Sequence, residues 1–325
     1  MTIKTILSEN NERAERLDKL YPKASNQKPL IGLALGGGGG RGWAHIGIIR
    51  KLEQLGLKPH IVTGTSIGAV VAGCYLAGKL DYLQEWACRL NTFRILRFLD
   101  FRISGGGVIG GNKLIEELSR HLGEINIEDL PHRFGSIATD LYTGQEIWAT
   151  KGRLTDAMHA SFAIPGIFKP VPCGDTVLVD GALVNPIPIN IARALGADIV
   201  IAVNLNGNFR NKRQRASGLA QERKPPPRAV DKIKYITRRR INAFARPTDE
   251  SPSVLNTLLA AGNLMQERIA RINMAENPPD VLIGPRVDHV GILEFDRAEE
   301  LINIGITAVG RATHTIEDAL TLESR

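Results

Sequence analysis

The first sustained apolar run begins at Leu30, after an opening rich in charged and polar residues. In "PLIGLALGGGGGRGWAHIGIIRKLEQLGL" the run from Leu30 to Leu35 predicts a strand. Glycines fill Gly36 to Gly42 apart from Arg41, and a helical pattern then runs from about Trp43 to Leu55, where Gly56 stops it. "KPHIVTGTS" predicts a second short buried strand that breaks at Gly64, with a helix from about Ile67 to Gly78 behind it. No charge interrupts Ile61 to Gly78, which raises the question of a membrane span. The helical part would extend only ~18 Å, against about 30 Å of hydrocarbon, so it predicts a buried helix instead. Two successive strand-to-helix units imply a mainly parallel sheet covered by helices.

Further on, Asp81 to Leu130 reads as largely helical, interrupted by the glycine loop "SGGGVIGGNK". "FGSIATDLYTGQEIWAT" alternates like two strands joined at Thr143-Gly144. "DTVLVDGALVNPIPINIARALGADIVIAVNLN" predicts a strand ending at Asp180, a tight turn, a helix from about Pro188 and a buried strand from Ile199 to Leu205. "SPSVLNTLLAAGNLMQERIARINMAE" predicts a long amphipathic helix capped by Ser251 or Ser253. A short strand in "PPDVLIGPRV" and a closing helix in "FDRAEELINIGITAVGRATHTIEDAL" complete the chain. Without internal repeats or a clean linker, the expectation is a polar N-terminal extension over 1–28 and one domain over 29–325.

The 325 residues are 43% hydrophobic, ample for a large core. Cys74, Cys88 and Cys173 lie far apart in no zinc or disulfide spacing, and the N-terminus lacks a secretory pattern. A cytoplasmic protein, peripheral at most to the inner face of the membrane, is expected. The charge of +7 is concentrated: thirteen Lys or Arg against Glu222 and Asp231 give residues 209–246 a balance of +11, leaving −4 for the rest. Pro225, Pro226 and Pro227 interrupt this run, which reads as a basic insertion at about 207–250. It fits either a solvated insertion or a contact with anionic lipid headgroups. Its few aromatics and the lack of a recognisable module argue against nucleic acid.

Two glycine motifs carry the candidate chemistry. "GGGGGRG" contains G-x-G-x-x-G at Gly37, Gly39 and Gly42, which a dinucleotide-binding fold would also place between strand and helix. Such a site wants a carboxylate at the end of the second strand, where this chain has "VTGTS". Glycine N–H groups at a helix start can alternatively converge on a developing oxyanion, with Arg41 as a nearby positive charge or a surface ion-pair residue. "GTSIG", Gly64 to Gly68, matches G-x-S-x-G between strand and helix, the setting that exposes a nucleophilic serine, here Ser66. Among seven histidines His289 best suits a Ser, Asp, His order, while Asp180 in "LVDGALVNPIP" is a carboxylate at a strand end. It is equally an ordinary Asp-Gly turn.

Taken together, "GGGGGRGWAHIG", "GTSIGAVVAG", "ASFAIPGIFKPV" and "VDGALVNPIP" resemble the patatin-like phospholipase family, and "LEFDRAEELINIG" resembles its bacterial branch related to neuropathy target esterase. The resemblance implies a three-layer α/β/α fold and a Ser–Asp dyad without a catalytic histidine. It makes Ser66 the nucleophile, Asp180 the base and Gly38 with Gly39 the oxyanion donors. Gly37, Gly40, Arg41 and Gly42 shape that loop, Gly64 and Gly68 flank the serine, and Gly181 with Ala182 completes an Asp-Gly-Ala variant of the family's Asp-Gly-Gly. A lipid acyl ester is the implied substrate, and neither a cofactor nor a metal is called for. An apolar groove for the acyl chain is expected against "NTFRILRFLDFRI".

Overall fold

A computed structural model describes residues 29–91, 112–206 and 254–322. The N-terminal extension, the basic insertion, the expected caps Ser251 and Ser253 and nearly all of the expected acyl-chain wall lie outside the described residues.

One eight-stranded mixed sheet organises the described chain. Strands β1 (Ile31–Leu35), β2 (Ile61–Thr65), β3 (Arg133–Asp140), β7 (Ile199–Val203) and β8 (Val281–Ile283) are parallel, in the order β3-β2-β1-β7-β8. Strands β4 (Glu146–Ala149), β5 (Val171–Cys173) and β6 (Thr176–Asp180) form an antiparallel margin around β3. β2 runs on through Gly64 to Thr65 instead of breaking at Gly64, because Gly64 keeps its pairing with Leu35 and Ser136. The β3–β4 hairpin turns where expected, with Gly144 at φ 71°.

Alternation along the strands sends side chains to two cores. Leu33, Leu35, Val62, Ile201 and Val203 face one layer, made by α1 (Ala44–Gln54), α2 (Ile67–Leu76), α3 (Leu80–Cys88), α5 (Leu154–Ser161) and α8 (Ala298–Leu322), with α4 (Asn112–Leu122) beside α5. Ala34, Ile61, Val200 and Ala202 face the other, where α6 (Ile189–Ala194) contributes Ile189 and Ile191 and α7 (Val254–Glu276) contributes Ala270. This is the three-layer α/β/α arrangement expected, with a mainly parallel sheet. The uncharged stretch from Ile61 is central strand followed by buried helix, and among the described residues no helix is long and apolar enough to cross a membrane.

Two features had no sequence forecast. Helix α5 and strand β5 carry no strong local signal, and their places are set by packing: Met158 of α5 meets Gly73 of α2, and β5 pairs with β6. The direction of β6 matters more. Ile137 pairs with Thr65 on one edge and Trp148 on the other, while Ala138 pairs with Asp180 and Ile147. So β6 occupies the edge of β3 that β2 vacates, running the opposite way. The C-terminal ends of β2 and β6 therefore meet end to end at neighbouring residues of β3.

Candidate active site

That meeting brings Ser66, one residue past β2, against Asp180, the last residue of β6. The Ser66 hydroxyl donates to Asp180 Oδ2 at 2.5 Å, and both residues are buried. Ser66 has φ 57° and ψ −126°, and it is the one non-glycine residue with positive φ among those described. Such a backbone is strained and survives only where its surroundings impose it. Here its N–H donates to the hydroxyl of buried Ser161 at 2.8 Å, and its carbonyl begins α2 by accepting from Ala69. Glycine is required on both sides: a Cβ on Gly64 would sit 2.4 Å from Ala69 N, and one on Gly68 2.1 Å from Leu35 O. The hydroxyls of Thr63 and Thr65 donate to the carbonyls of Pro188 and Asn185, fastening β2 to the segment that follows Asp180.

Asp180 is held as firmly. Oδ1 accepts from the N–H of Ala182, its own N–H donates to Ala163 O, and its carbonyl accepts from the Thr139 hydroxyl. Burial pushes its carboxyl up to about 7, and the bonds from Ser66 and Ala182 hold the rise back.

The glycine loop lies over this pair. Gly37 packs so closely that a Cβ there would be 3.2 Å from Ala182 Cβ and 3.4 Å from Ser66 Cβ. The N–H groups of Gly36, Gly37 and Gly40 donate to Val203, Pro186 and Ile292 carbonyls. Those of Gly38 and Gly39 donate to no carbonyl among the described residues. Gly39 has φ 57° and opens a 3-10 turn, Gly39–Trp43, that leads into α1 in place of a simple loop.

Comparison with known proteins places this arrangement. The model described as patatin-like phospholipase matches residues 33–193, spanning the glycine loop, Ser66 and Asp180. This stretch of the chain, residues 33–193, belongs to the patatin-like phospholipase family. A protein of Mycobacterium tuberculosis described as an NTE family protein is 40% identical over 183 residues, 56% of this chain and 51% of that one. A second from the same organism is 29% identical over 289 residues, covering 89% of this chain and 47% of the other. A lysophospholipase of Emericella nidulans is 27% identical over 288 residues, covering 85% of this chain and 17% of its own length. The chain thus spans about half the length of the first curated relatives it matches.

Within this patatin-like site Arg41 is a buried residue, not a surface one. Its Nε donates to Val290 O at 2.7 Å and Nη1 to Asn206 Oδ1 at 3.1 Å. Burial lowers its pKa to about 10, against the opposing pull of Asp288 and Glu294. It ties the glycine loop to the segment before α8. Buried His45 donates from Nε2 to Gly36 O at 2.8 Å and is pushed down to about 4 by desolvation, which keeps it neutral. His289 lies at the surface bonded to Glu300 at 2.7 Å, and both oxygens of Asp180 are engaged by Ser66 and Ala182. Ser161 lies in the stretch "ASFAIPGIFKPV" that shares in the resemblance, but nothing local gave it a role, and Asn206 had no signal at all, because each acts on a residue far away along the chain.

Proposed function

We propose that this chain is a serine esterase hydrolysing acyl esters of phospholipids or lysophospholipids, with Ser66 as nucleophile and Asp180 as its base. The observation that carries the reading is the direct Ser66–Asp180 hydrogen bond at two buried strand ends. Family membership supports a lipid ester as the substrate class.

As Ser66 Oγ attacks the ester carbonyl, its proton passes to Asp180 Oδ2, and the carbonyl oxygen becomes an oxyanion. An ordinary carboxylate is a poor base at neutral pH, and burial brings Asp180 closer to the useful range. The oxyanion is received by the N–H groups of Gly38 and Gly39, aided by the positive ends of the glycine-loop turn and of α2. Collapse returns the proton to the leaving alkoxide and leaves an acyl group on Ser66. Water, deprotonated by Asp180, then attacks the acyl carbonyl, and the fatty acid departs as Ser66 recovers its proton. Positive residues in 209–246 belong to the same reading, as a contact with anionic lipid headgroups.

A fluorophosphonate probe tests the nucleophile directly, since attack by Ser66 Oγ on phosphorus expels fluoride and leaves a stable adduct. One adduct per chain, mapped by mass spectrometry to Ser66 and absent from Ser66→Ala, is expected. Labelling elsewhere with Ser66 unmodified would overturn the assignment. Release of fatty acid from a panel of phospholipids and lysophospholipids tests the substrate class.

A further inference from the structure

Helix α7 exposes an apolar stripe that the fold does not use. Leu258, Met265 and Ile272 recur every seven residues, each more than half exposed, and Leu264 lies beside Met265 with 61% exposure. Exposed Ala261, Arg268 and Ala275 complete the same face. From Leu258 to Ala275 this face runs about 26 Å. The opposite face anchors the helix, with Glu267 and Ala270 buried and Ala270 packed into the α6 side of the sheet.

The position of the stripe points to its partner. Its C-terminal end adjoins the turn after Asp180, where Asn273 Nδ2 donates to Val184 O at 3.1 Å and Leu183 is itself exposed. In sequence the helix begins at Val254, with seven residues between it and the end of the segment 209–246 with its balance of +11. Arg268 on α7 is exposed within the stripe, and exposed Arg271 at its edge bonds to Glu267 of the same helix; a long cationic side chain in such a place can hold its charge at the headgroups while its stem covers apolar surface.

We propose that the outer face of α7 is the surface by which this protein docks on an anionic lipid bilayer, lying in the interface with Leu258, Leu264, Met265 and Ile272 among the acyl chains. The choice of a lipid surface rests on the esterase reading above, because docking here sets the substrate's own bilayer beside the Asp180 turn. A second copy of the chain fits less well: self-pairing would draw Arg268 of each copy into the seam, whereas a bilayer leaves it at the headgroups.

The test uses the full chain with Ser66→Ala, so that docking is read without turnover and stands or falls apart from the catalytic assignment. Cys74 and Cys173 are buried and Cys88 is exposed, so Cys88→Ser with Met265→Cys directs a polarity-sensitive fluorophore to the stripe. Vesicles of phosphatidylglycerol and phosphatidylcholine should shift its emission to the blue, and pure phosphatidylcholine should do so much less. A second variant, Leu264→Glu with Met265→Glu, should reduce cosedimentation with the anionic vesicles by at least about tenfold. Emission unchanged by vesicles overturns the proposal. So does emission already blue without them: if it depends on protein concentration the stripe pairs with a second copy, and if not, the chain covers its own stripe.

Discussion

Ser66 and Asp180 stand 2.5 Å apart because their strands end against adjacent residues of β3, Ile137 and Ala138, from opposite directions. The separation is a property of sheet register, not of flexible loops, and leaves no room for a longer acid. Under the proposed mechanism the residue at 180 must be both charged and of one length.

Asp180→Asn should therefore lower kcat for a soluble short-chain ester by about 10³-fold or more, as should Ser66→Ala, with His289→Ala near wild type. Asp180→Glu keeps the charge, yet its extra methylene has to displace Ser66 or break the Ala182 bond. A loss above about 10²-fold is expected for it as well. Wild-type rates in Asp180→Glu would show that register does not govern the site.

Titration of Asp180 should give activity and stability opposite pH dependences. A base must be ionised to take the Ser66 proton, so kcat/KM should rise with pH and level off above about 7. Folding raises this carboxyl from its ordinary 3.8 to about 7, so the folded state binds the proton more tightly. The stability it contributes is complete below about pH 4 and is lost as pH rises through 7. Asparagine carries no charge to bury. Asp180→Asn should accordingly be more stable than wild type at pH 8 by roughly 4 kcal/mol, at ~1.4 kcal/mol for each tenfold difference in proton affinity between folded and unfolded chain, and no more stable at pH 4. Urea unfolding at the two pH values reads the difference.

What could be read in advance follows from the range over which each signal acts. Gly64, Ser66 and Gly68 advertise a strand-to-helix elbow within five residues, and Asp180-Gly181 advertises a strand end, so both halves of the site were legible. That β6 runs antiparallel to β3 was not, because an Asp-Gly pair ends a strand of either direction. Arg41 read equally as a surface charge, since its partners Val290 and Asn206 are 249 and 165 residues away. The three layers were legible because two strand–helix units already commit the chain to a covered parallel sheet. Helix α5, with Ser161 at its end, was missed because only tertiary packing selects it.

Ser161 is a positioning residue whose role is to satisfy the N–H of Ser66 while φ is held at 57°. Ser161→Ala leaves that buried donor unpaired, at a cost of about 1–3 kcal/mol to the elbow. The effect should fall on kcat more than KM for a soluble ester, and Ser161→Thr, which keeps the hydroxyl, should recover most of it. Equal loss in the Ala and Thr variants would mean that packing, not the hydrogen bond, is what matters at 161.

Arg41 tests how the glycine loop is held. Its guanidinium sends Nε and Nη1 to two acceptors on separate segments, Val290 O and Asn206 Oδ1, from a side chain only 2% exposed. Lysine would retain the charge but has a single ammonium that does not reproduce the planar fork. Arg41→Lys should therefore behave as a loss, leaving at least one buried acceptor unserved at about 1–3 kcal/mol. At ~2–4 °C per kcal/mol for a chain of this size, the melting temperature should fall by about 2–12 °C. Because Gly40 and Gly39 meet Ile292 in the same tethered segment, kcat should fall with it while His289→Ala, on that segment but bonded outward to Glu300, leaves kcat unchanged. Should Arg41→Lys match wild type in both melting and turnover, charge alone secures the loop and the two directed hydrogen bonds do not.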